Sequence, residues 1–303
     1  MALTVGLLGA GSMGREHLRA LNALGARVLV WSRGGADALA EELGAEPVTS
    51  FDELIRAADA IDITTPTPTH LEFGRAALAA GKHVICEKPL GRTVADAEAL
   101  VAAAEAAGRL LLPAHVVRWF PAYARAKQRV DAGRLGELQR LRFFRGGSYP
   151  RSAWFADHEQ SGGVAMDLMI HDLDQARWLA GEVVSVTATR EMGAVAGHPF
   201  ETASVTLTHA SGAITRADAS WGPPDARFTT EFALVGTAGS LSHSSRDGEP
   251  GENPYLAQLG DFLAAIETGA PVRVTPDDAV AAVRLATAGL ESIATGRPVD
   301  PSA

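Results

Sequence analysis

Short, almost uninterrupted apolar runs alternate with amphipathic segments through the first third of the chain. Leu3-Thr4-Val5-Gly6-Leu7-Leu8, Arg27-Val28-Leu29-Val30-Trp31, Ala60-Ile61-Asp62-Ile63-Thr64, His83-Val84-Ile85-Cys86 and Leu110-Leu111-Leu112 each have the length of a strand. Runs apolar on both faces predict strands buried from both sides, as in a parallel sheet covered by helices. Helices are predicted between them: the stretch carrying Leu18, Leu21 and Leu24, a short one opening at Phe51-Asp52-Glu53-Leu54-Ile55, and the alanine-rich residues 70–80. The pattern changes near residue 120, with a linking helix over 123–131 and a strand over 137–145. Residues 183–189, 202–209, 213–220 and 228–235 then alternate or carry β-branched side chains, punctuated by Ser211-Gly212 and Gly222-Pro223-Pro224. They predict a mostly antiparallel sheet with one face on helices; the other, if too apolar to stay wet, would meet a second subunit. Two helices close the chain, one over 256–266 and one opening at Thr275-Pro276-Asp277-Asp278, where Thr275 suits the N-cap and Asp278 completes a capping-box spacing. The reading is two domains, 1–119 and 120–303.

Composition narrows the partners. At 303 residues and 47% hydrophobic the chain is globular, and its 36 acidic against 27 basic side chains leave a formal charge of −9. No basic stripe interrupts that excess, so nucleic acid and anionic membrane surfaces are poor partners. The one cysteine, Cys86, excludes an intrachain disulfide. His115, His158 and His171 lack a tight ligand spacing, and no metal is expected. Without a leader-like start or a membrane-length apolar stretch, a cytoplasmic location is expected.

Four stretches carry candidate chemistry. Gly9-Ala10-Gly11-Ser12-Met13-Gly14 stands between a predicted strand and helix, the context a dinucleotide fingerprint requires. Gly9 suits the tight turn, Gly11 with the amides of Ser12 and Met13 the approach to a pyrophosphate, and Gly14 the packing of helix on strand. At the end of the second strand, where an acid would hold a ribose 2′-hydroxyl, the chain has Ser32-Arg33, which favours NADP(H) over NAD(H). Thr65-Pro66-Thr67-Pro68-Thr69-His70 is read as an extended loop at the sheet's carboxyl edge, placing Thr65, Pro66 and His70 against the cofactor, with Thr69 as a cap for the next helix. Lys88, one of three lysines with Lys82 and Lys127, follows a buried strand and precedes Pro89. A lysine, unlike an arginine, can assist a proton-coupled step, and Lys88 is the first catalytic candidate. Residues 162–179 are read as one buried helix with Asp167, His171 and Asp174 on one face among Met166, Leu168, Met169, Ile170 and Leu173. Charges so placed are either functional or tie the helix to a neighbour.

Taken together, the glycine fingerprint, Ala80-Gly81-Lys82-His83-Val84-Ile85-Cys86-Glu87-Lys88-Pro89, Gly162-Gly163 with Asp167 and His171, and Gly236-Thr237-Ala238-Gly239-Ser240-Leu241 resemble the glucose-fructose oxidoreductase, inositol dehydrogenase and rhizopine catabolism (Gfo/Idh/MocA) family. The resemblance implies an α/β chain: an N-terminal Rossmann doubly wound parallel sheet and a C-terminal α+β domain with an open, mostly antiparallel sheet, through which the sheet reading above expects a homo-oligomer. It implies a catalytic set of Lys88, Asp167 and His171, Glu87 beside the cofactor, and substrate contacts from His115, Arg118, Tyr149 and Trp154. The expected activity is hydride transfer between NADP(H) or NAD(H) and a sugar, polyol, inositol or related cyclic alcohol. Two other readings are a glycosidase with tightly bound dinucleotide and a non-catalytic NADP(H)-responsive protein. Ser32 departs from the acid of NAD-preferring members, and Val164 from a common third glycine.

Overall fold

A computed structural model describes residues 3–248 and 251–302. They form two compact units: the first runs to Trp119 and includes Glu252–Val280, and the second is Phe120–Gly251 with the chain from Ala281 onward.

In the first unit, strands β1 (Thr4–Leu8), β2 (Arg27–Trp31), β3 (Glu46–Pro47), β4 (Ala60–Ile63), β5 (His83–Glu87) and β6 (Leu111–Ala114) are linked by helices α1 (Ser12–Ala23), α2 (Asp37–Leu43), α3 (Phe51–Ala57), α4 (His70–Ala79) and α5 (Val94–Ala107). All pairings are parallel and the order is β3-β2-β1-β4-β5-β6, the doubly wound arrangement in which ligands bind where the winding reverses, here between β1 and β4. The apolar runs form strands because each is covered on both faces: Val5, Leu7, Leu8, Ile61, Ile63, Val84 and Ile85 have no solvent exposure. Burying each such side chain contributes about 1.5–3 kcal/mol. Helix α5 starts on a capping box, Thr93 with Asp96, and stops at Gly108 in the left-handed region.

The second unit contains α6 (Pro121–Asp131), β7 (Leu138–Ser148), α7 (Ala153–Ala156), α8 (His158–Ser161), α9 (Gly163–Asp167), α10 (Ile170–Ala180), β8 (Val183–Val195), β9 (His198–His209), β10 (Ile214–Gly222), β11 (Thr229–Gly236) and β12 (Ser240–Ser244). Its six-stranded sheet runs β12-β11-β7-β10-β9-β8, antiparallel except for the β7–β10 pair. Helices α9 and α10 cover one face, over Phe143, Val205, Leu207 and Ala217. The other face presents Arg140, Arg142, Arg216, Asp218, Ser204, Thr206 and Thr208. Phe144, Ile214 and Val235 lie among them on the same face, with Ile214 and Val235 exposed. Strands β8 and β9 run further than predicted, meeting in a turn at Ala196 and Gly197, both with positive φ, so that residues 189–195 project with little cover.

The last helices are α11 (Pro254–Thr268) and α12 (Pro276–Thr295). The predicted capping box forms at α12: Asp278 N–H donates to Thr275 Oγ1 and Thr275 N–H to Asp278 Oδ2, both at 3.1 Å. The predicted second domain, 120–303, needs correction at α11, whose Leu259, Phe262 and Leu263 enter the core built by Leu18, Leu21, Val28 and Val30 of the first unit. Its apolar stripe needs a partner, and α1 supplies one. Among the described residues no helix is long and apolar enough to cross a membrane, and no group of three or more His, Cys, Asp or Glu side chains is arranged to hold a metal ion.

Candidate active site

The turn after β1 has the shape of an anion seat. Gly9 has φ of +114°, and its N–H donates to Trp31 O at 3.0 Å. A Cβ on Gly9 would stand 2.9 Å from Thr64 Oγ1, and one on Gly14 only 2.2 Å from Gly9 O. Gly11 is the reverse case, since its Cβ would meet nothing within 4 Å. It is the N-cap of α1, with no side-chain cap and no acid in the first turn, so the amides of Ser12, Met13 and Gly14 are left for an anion. Thr64, at the end of β4, closes the seat by donating from Oγ1 to Leu8 O at 3.1 Å. These residues fit a dinucleotide pyrophosphate.

At the end of β2, Ser32 is half-buried and Arg33 exposed. The Arg33 guanidinium lies 5.0 Å above the Phe73 ring and 3.3 Å from the Glu72 carboxylate, both on α4. Phe73 is held by Phe51 at 4.8 Å and Trp31 at 6.3 Å, so the stack beneath the cation is fixed even though Arg33 itself is 63% exposed.

The loop after β4 differs from the extended one predicted. Thr67–Thr69 form a 3₁₀ turn leading into α4. The Thr69 hydroxyl does not cap the helix; it lies 2.7 Å from Thr65 Oγ1 and 2.8 Å from Pro66 O. His70, expected at the cofactor, is buried with Nδ1 2.9 Å from Pro89 O and Nε2 2.9 Å from Thr65 O. It stands between the loop after β4 and the loop after β5, and burial lowers its pKa despite those carbonyls.

Lys88 follows β5, half-buried, and the Lys88–Pro89 peptide is cis. Behind it lies a row of buried ionisable groups. Asp62 on β4 is 2.9 Å from His17 Nδ1 on α1, and His17 Nε2 is 3.2 Å from Glu87 Oε1 on β5. Glu87 Oε2 accepts the Lys88 N–H at 2.9 Å. The Glu87 carboxylate, expected beside the cofactor, is thus turned inward. Burial lowers the His17 pKa, but Asp62 and then Glu87 outweigh it, and the imidazole is pushed up from 6.5 to about 10. A folded value above the unfolded one stabilises the fold fully below pH 6.5, and the contribution is lost as pH rises toward 10. Thermal midpoints measured across that window are expected to fall, and to fall less steeply in His17→Gln.

In the second unit the predicted helix is two. Gly162 and Gly163, with φ of +74° and +68°, turn the chain out of α8 and into α9. After Asp167 the helix breaks at Leu168–Met169: Met169 N–H donates to Val164 O and Asp172 N–H to Met169 O, a wide turn followed by a tight one. Asp167 therefore ends α9 while His171, half-buried, opens α10. Val164 is buried within α9 and outside the left-handed region, so the absent third glycine asks nothing of its backbone. A Cβ on Gly163 would stand 2.4 Å from Glu201 Oε1, and that oxygen accepts the Val164 N–H at 3.2 Å. The other Glu201 oxygen is 3.1 Å from His158 Nε2. On α10, Asp172 forms a strong pair: its oxygens accept from Arg145 Nε and NH2 at 3.1 and 2.9 Å, fully buried. Burial raises the Asp172 pKa and Arg145 opposes the rise. Removing either partner of such a pair leaves a buried unmatched charge, at a cost of about 3–5 kcal/mol.

The expected substrate contacts divide. Tyr149 and Trp154 are half-buried, Tyr149 edge-on to Trp221 at 5.6 Å and Trp154 stacked on Phe155 at 3.9 Å. Burial and the Glu201 charge raise the Tyr149 pKa. His115 is buried at 1% exposure. Arg118 is buried, and its guanidinium donates from NH1 to Arg273 O and Asp278 Oδ2, both at 3.0 Å. Sequence reading missed His17 and Asp62. A histidine one turn after Gly14 on the apolar face with Leu18 and Leu21, and an acid inside an apolar strand, were the available signals.

Residues 3–115 match the model of an oxidoreductase family with an NAD-binding Rossmann fold, and residues 123–242 match the GFO/IDH/MocA C-terminal domain. The chain belongs to the Gfo/Idh/MocA family. It is an NAD(P)-dependent dehydrogenase or reductase. It is 31% identical to the rhizopine catabolism protein MocA of Rhizobium meliloti, over 95% of this chain and 94% of that protein. It is 30% identical to inositol 2-dehydrogenase of R. meliloti strain 1021, over 99% of both. Among solved structures, GenD2 from gentamicin A biosynthesis, in complex with NAD, superposes with a TM-score of 0.89 at 29% identity, covering 99% of this chain and 96% of that one. The Gfo/Idh/MocA pattern also accounts for the second unit's open, mostly antiparallel sheet.

Proposed function

We propose that this Gfo/Idh/MocA enzyme transfers a hydride between nicotinamide C4 and the carbinol carbon of a sugar, polyol, inositol or related cyclic alcohol, with NADP(H) preferred over NAD(H). The bound dinucleotide supplies or accepts the hydride. His171 exchanges the hydroxyl proton, Asp167 orients that imidazole and stabilises its charged form, and Lys88 hydrogen-bonds the oxygen on which negative charge develops. Tyr149 and Trp154 are the aromatic contacts for the ring.

The reading is carried by the seat built from Gly9, Gly11 and Gly14 at the sheet's switch point, with Lys88 at the carboxyl end of the same sheet. Relatives named as inositol dehydrogenases supply the substrate class. The cofactor preference is supported by Ser32 and Arg33 at the β2 end, with Arg33 stacked on Phe73.

Inositols, pyranoses and their keto forms, each offered with NADP(H) and NAD(H) while nicotinamide absorbance is followed, test the activity. Turnover of one substrate class is expected. Turnover without net absorbance change would instead support the glycosidase reading, and tight NADPH binding with no reaction the non-catalytic one. Arg33→Ala is expected to weaken NADPH about tenfold more than NADH, the worth of one charge-assisted contact. Glu72→Gln, which releases Arg33 from its ion pair, is expected to tighten NADPH. Tighter NADH than NADPH binding in the parent protein rejects the preference.

A further inference from the structure

The proposed reaction uses Lys88 and leaves unexplained the ionisable groups buried behind it. His17, Asp62 and Glu87 come from three different elements, have side chains no more than 6% exposed, and touch in series. Apolar side chains of similar volume would pack there without the desolvation penalty of several kcal/mol per ion. Stability alone therefore gives no reason for three ionisable residues in the core of a parallel sheet.

Their geometry gives one. Glu87 Oε2 accepts the Lys88 N–H at 2.9 Å, and Oε1 lies 3.2 Å from His17 Nε2, an ion-pair contact whose geometry is not that of a hydrogen bond. Charge attraction to the imidazole on that side favours the carboxylate rotamer in which the other oxygen keeps the amide it accepts. Asp62 holds the far side of the imidazole at 2.9 Å, so the ring cannot turn. The chain then passes from Lys88 to Pro89, whose carbonyl lies 2.9 Å from His70 Nδ1. His17 also stands one turn beyond Gly14 on α1, the helix whose N-terminus forms the pyrophosphate seat. One side chain thus links that seat to the strand end carrying the lysine.

We propose that His17, braced by Asp62, is a positioning residue that acts through Glu87 to fix the backbone from which Lys88 reaches the substrate oxygen. The proposal rests on the role given to Lys88 above. The groups facing the imidazole are Asp62 from β4, Glu87 from β5 and the Tyr255 ring from α11, 6.1 Å away between centroids. The buried Cys86 thiol shares their field; burial, then Glu87 and Asp62, push its pKa well up, which leaves it neutral. The high pKa of His17 agrees with a cation between two carboxylates.

The test uses His17→Gln and Asp62→Asn in the full chain. With only three lysines, labelling by trinitrobenzenesulfonate and peptide mapping reads Lys88 against Lys82 and Lys127 as internal standards. In both variants the Lys88 labelling rate is expected to change by about threefold or more, as reagent access follows the backbone that carries the side chain, with the other two lysines unmoved. Turnover of myo-inositol with NADP⁺ or NAD⁺ is expected to fall about 10–100-fold in kcat, with dinucleotide affinity held within about twofold. In a Lys88→Ala background neither change is expected to cost anything further, because residues acting as one unit are not additive. Unchanged Lys88 labelling in a folded variant, or losses that add to those of Lys88→Ala, would overturn the proposal. Should His17→Gln not fold, Asp62→Asn, which keeps volume and shape, is read by the same criteria. If Lys88 labelling responds while Lys88→Ala leaves turnover intact, the positioning stands and the catalytic role of Lys88 falls.

Discussion

Replacing Lys88 by alanine is expected to reduce turnover by about 10²–10⁴, the usual contribution of one positioned proton-handling or charge-stabilising group, while dinucleotide affinity stays within a few-fold. The separation follows from the fold. The pyrophosphate seat is made of backbone at the β1–α1 turn, and the Lys88 side chain has no part in building it. Lys88→Arg keeps a positive charge on a planar group that never gives up its proton. If it restores little of the lost turnover, Lys88 supplies more than charge. Parallel titrations with NADPH and initial rates on one substrate decide the matter: a variant that loses cofactor affinity and keeps kcat would show that Lys88 belongs to the cofactor seat.

A methyl group on Gly14 is expected to have the second large effect. A Cβ there would approach Gly9 O to 2.2 Å, with Gly9 C and Thr64 Oγ1 both at 3.0 Å. Two of those three atoms are backbone, so no rotamer change relieves the overlap, and α1 must move away from the turn it caps. Gly14→Ala is expected to lose about 1–3 kcal/mol of stability, as overpacked sites do, and to abolish measurable binding of NADPH and NADH. Gly11→Ala is the control, because its Cβ meets nothing within 4 Å but enters the space an anion would fill. It should weaken dinucleotide binding at unchanged thermal midpoint. Gly14→Ala protein that binds dinucleotide within a few-fold of the parent would contradict the seat.

These features were legible in the sequence to the extent that they depend on neighbours along the chain. The glycine turn could be read because each glycine answers a local steric demand, and the β1, β4 and β5 runs because strands buried from both sides are apolar throughout. The Thr275–Asp278 capping box spans four residues and formed as expected. What escaped notice depends on residues distant in sequence. His17, Asp62 and Glu87 meet only because α1, β4 and β5 are brought together by the winding of the sheet. Asp172 looked no different from Asp167 or Asp174 until Arg145, on a strand 27 residues earlier, claimed it. The break at Leu168–Met169 has no proline or glycine to announce it and follows from how α9 and α10 lie on the sheet. The β8–β9 extension was obscured by Gly193, Gly197 and Pro199, which read as the end of pairing.

The return of α11 to the first unit has a consequence for how the chain matures on the ribosome. When Trp119 emerges, the six strands of the parallel sheet are complete, yet the side of α1 that Leu259 and Phe262 will cover is still bare. That oily flank must wait for more than a hundred further residues to be translated before its lid arrives. During that interval the nascent nucleotide-binding half presents an apolar flank open to aggregation.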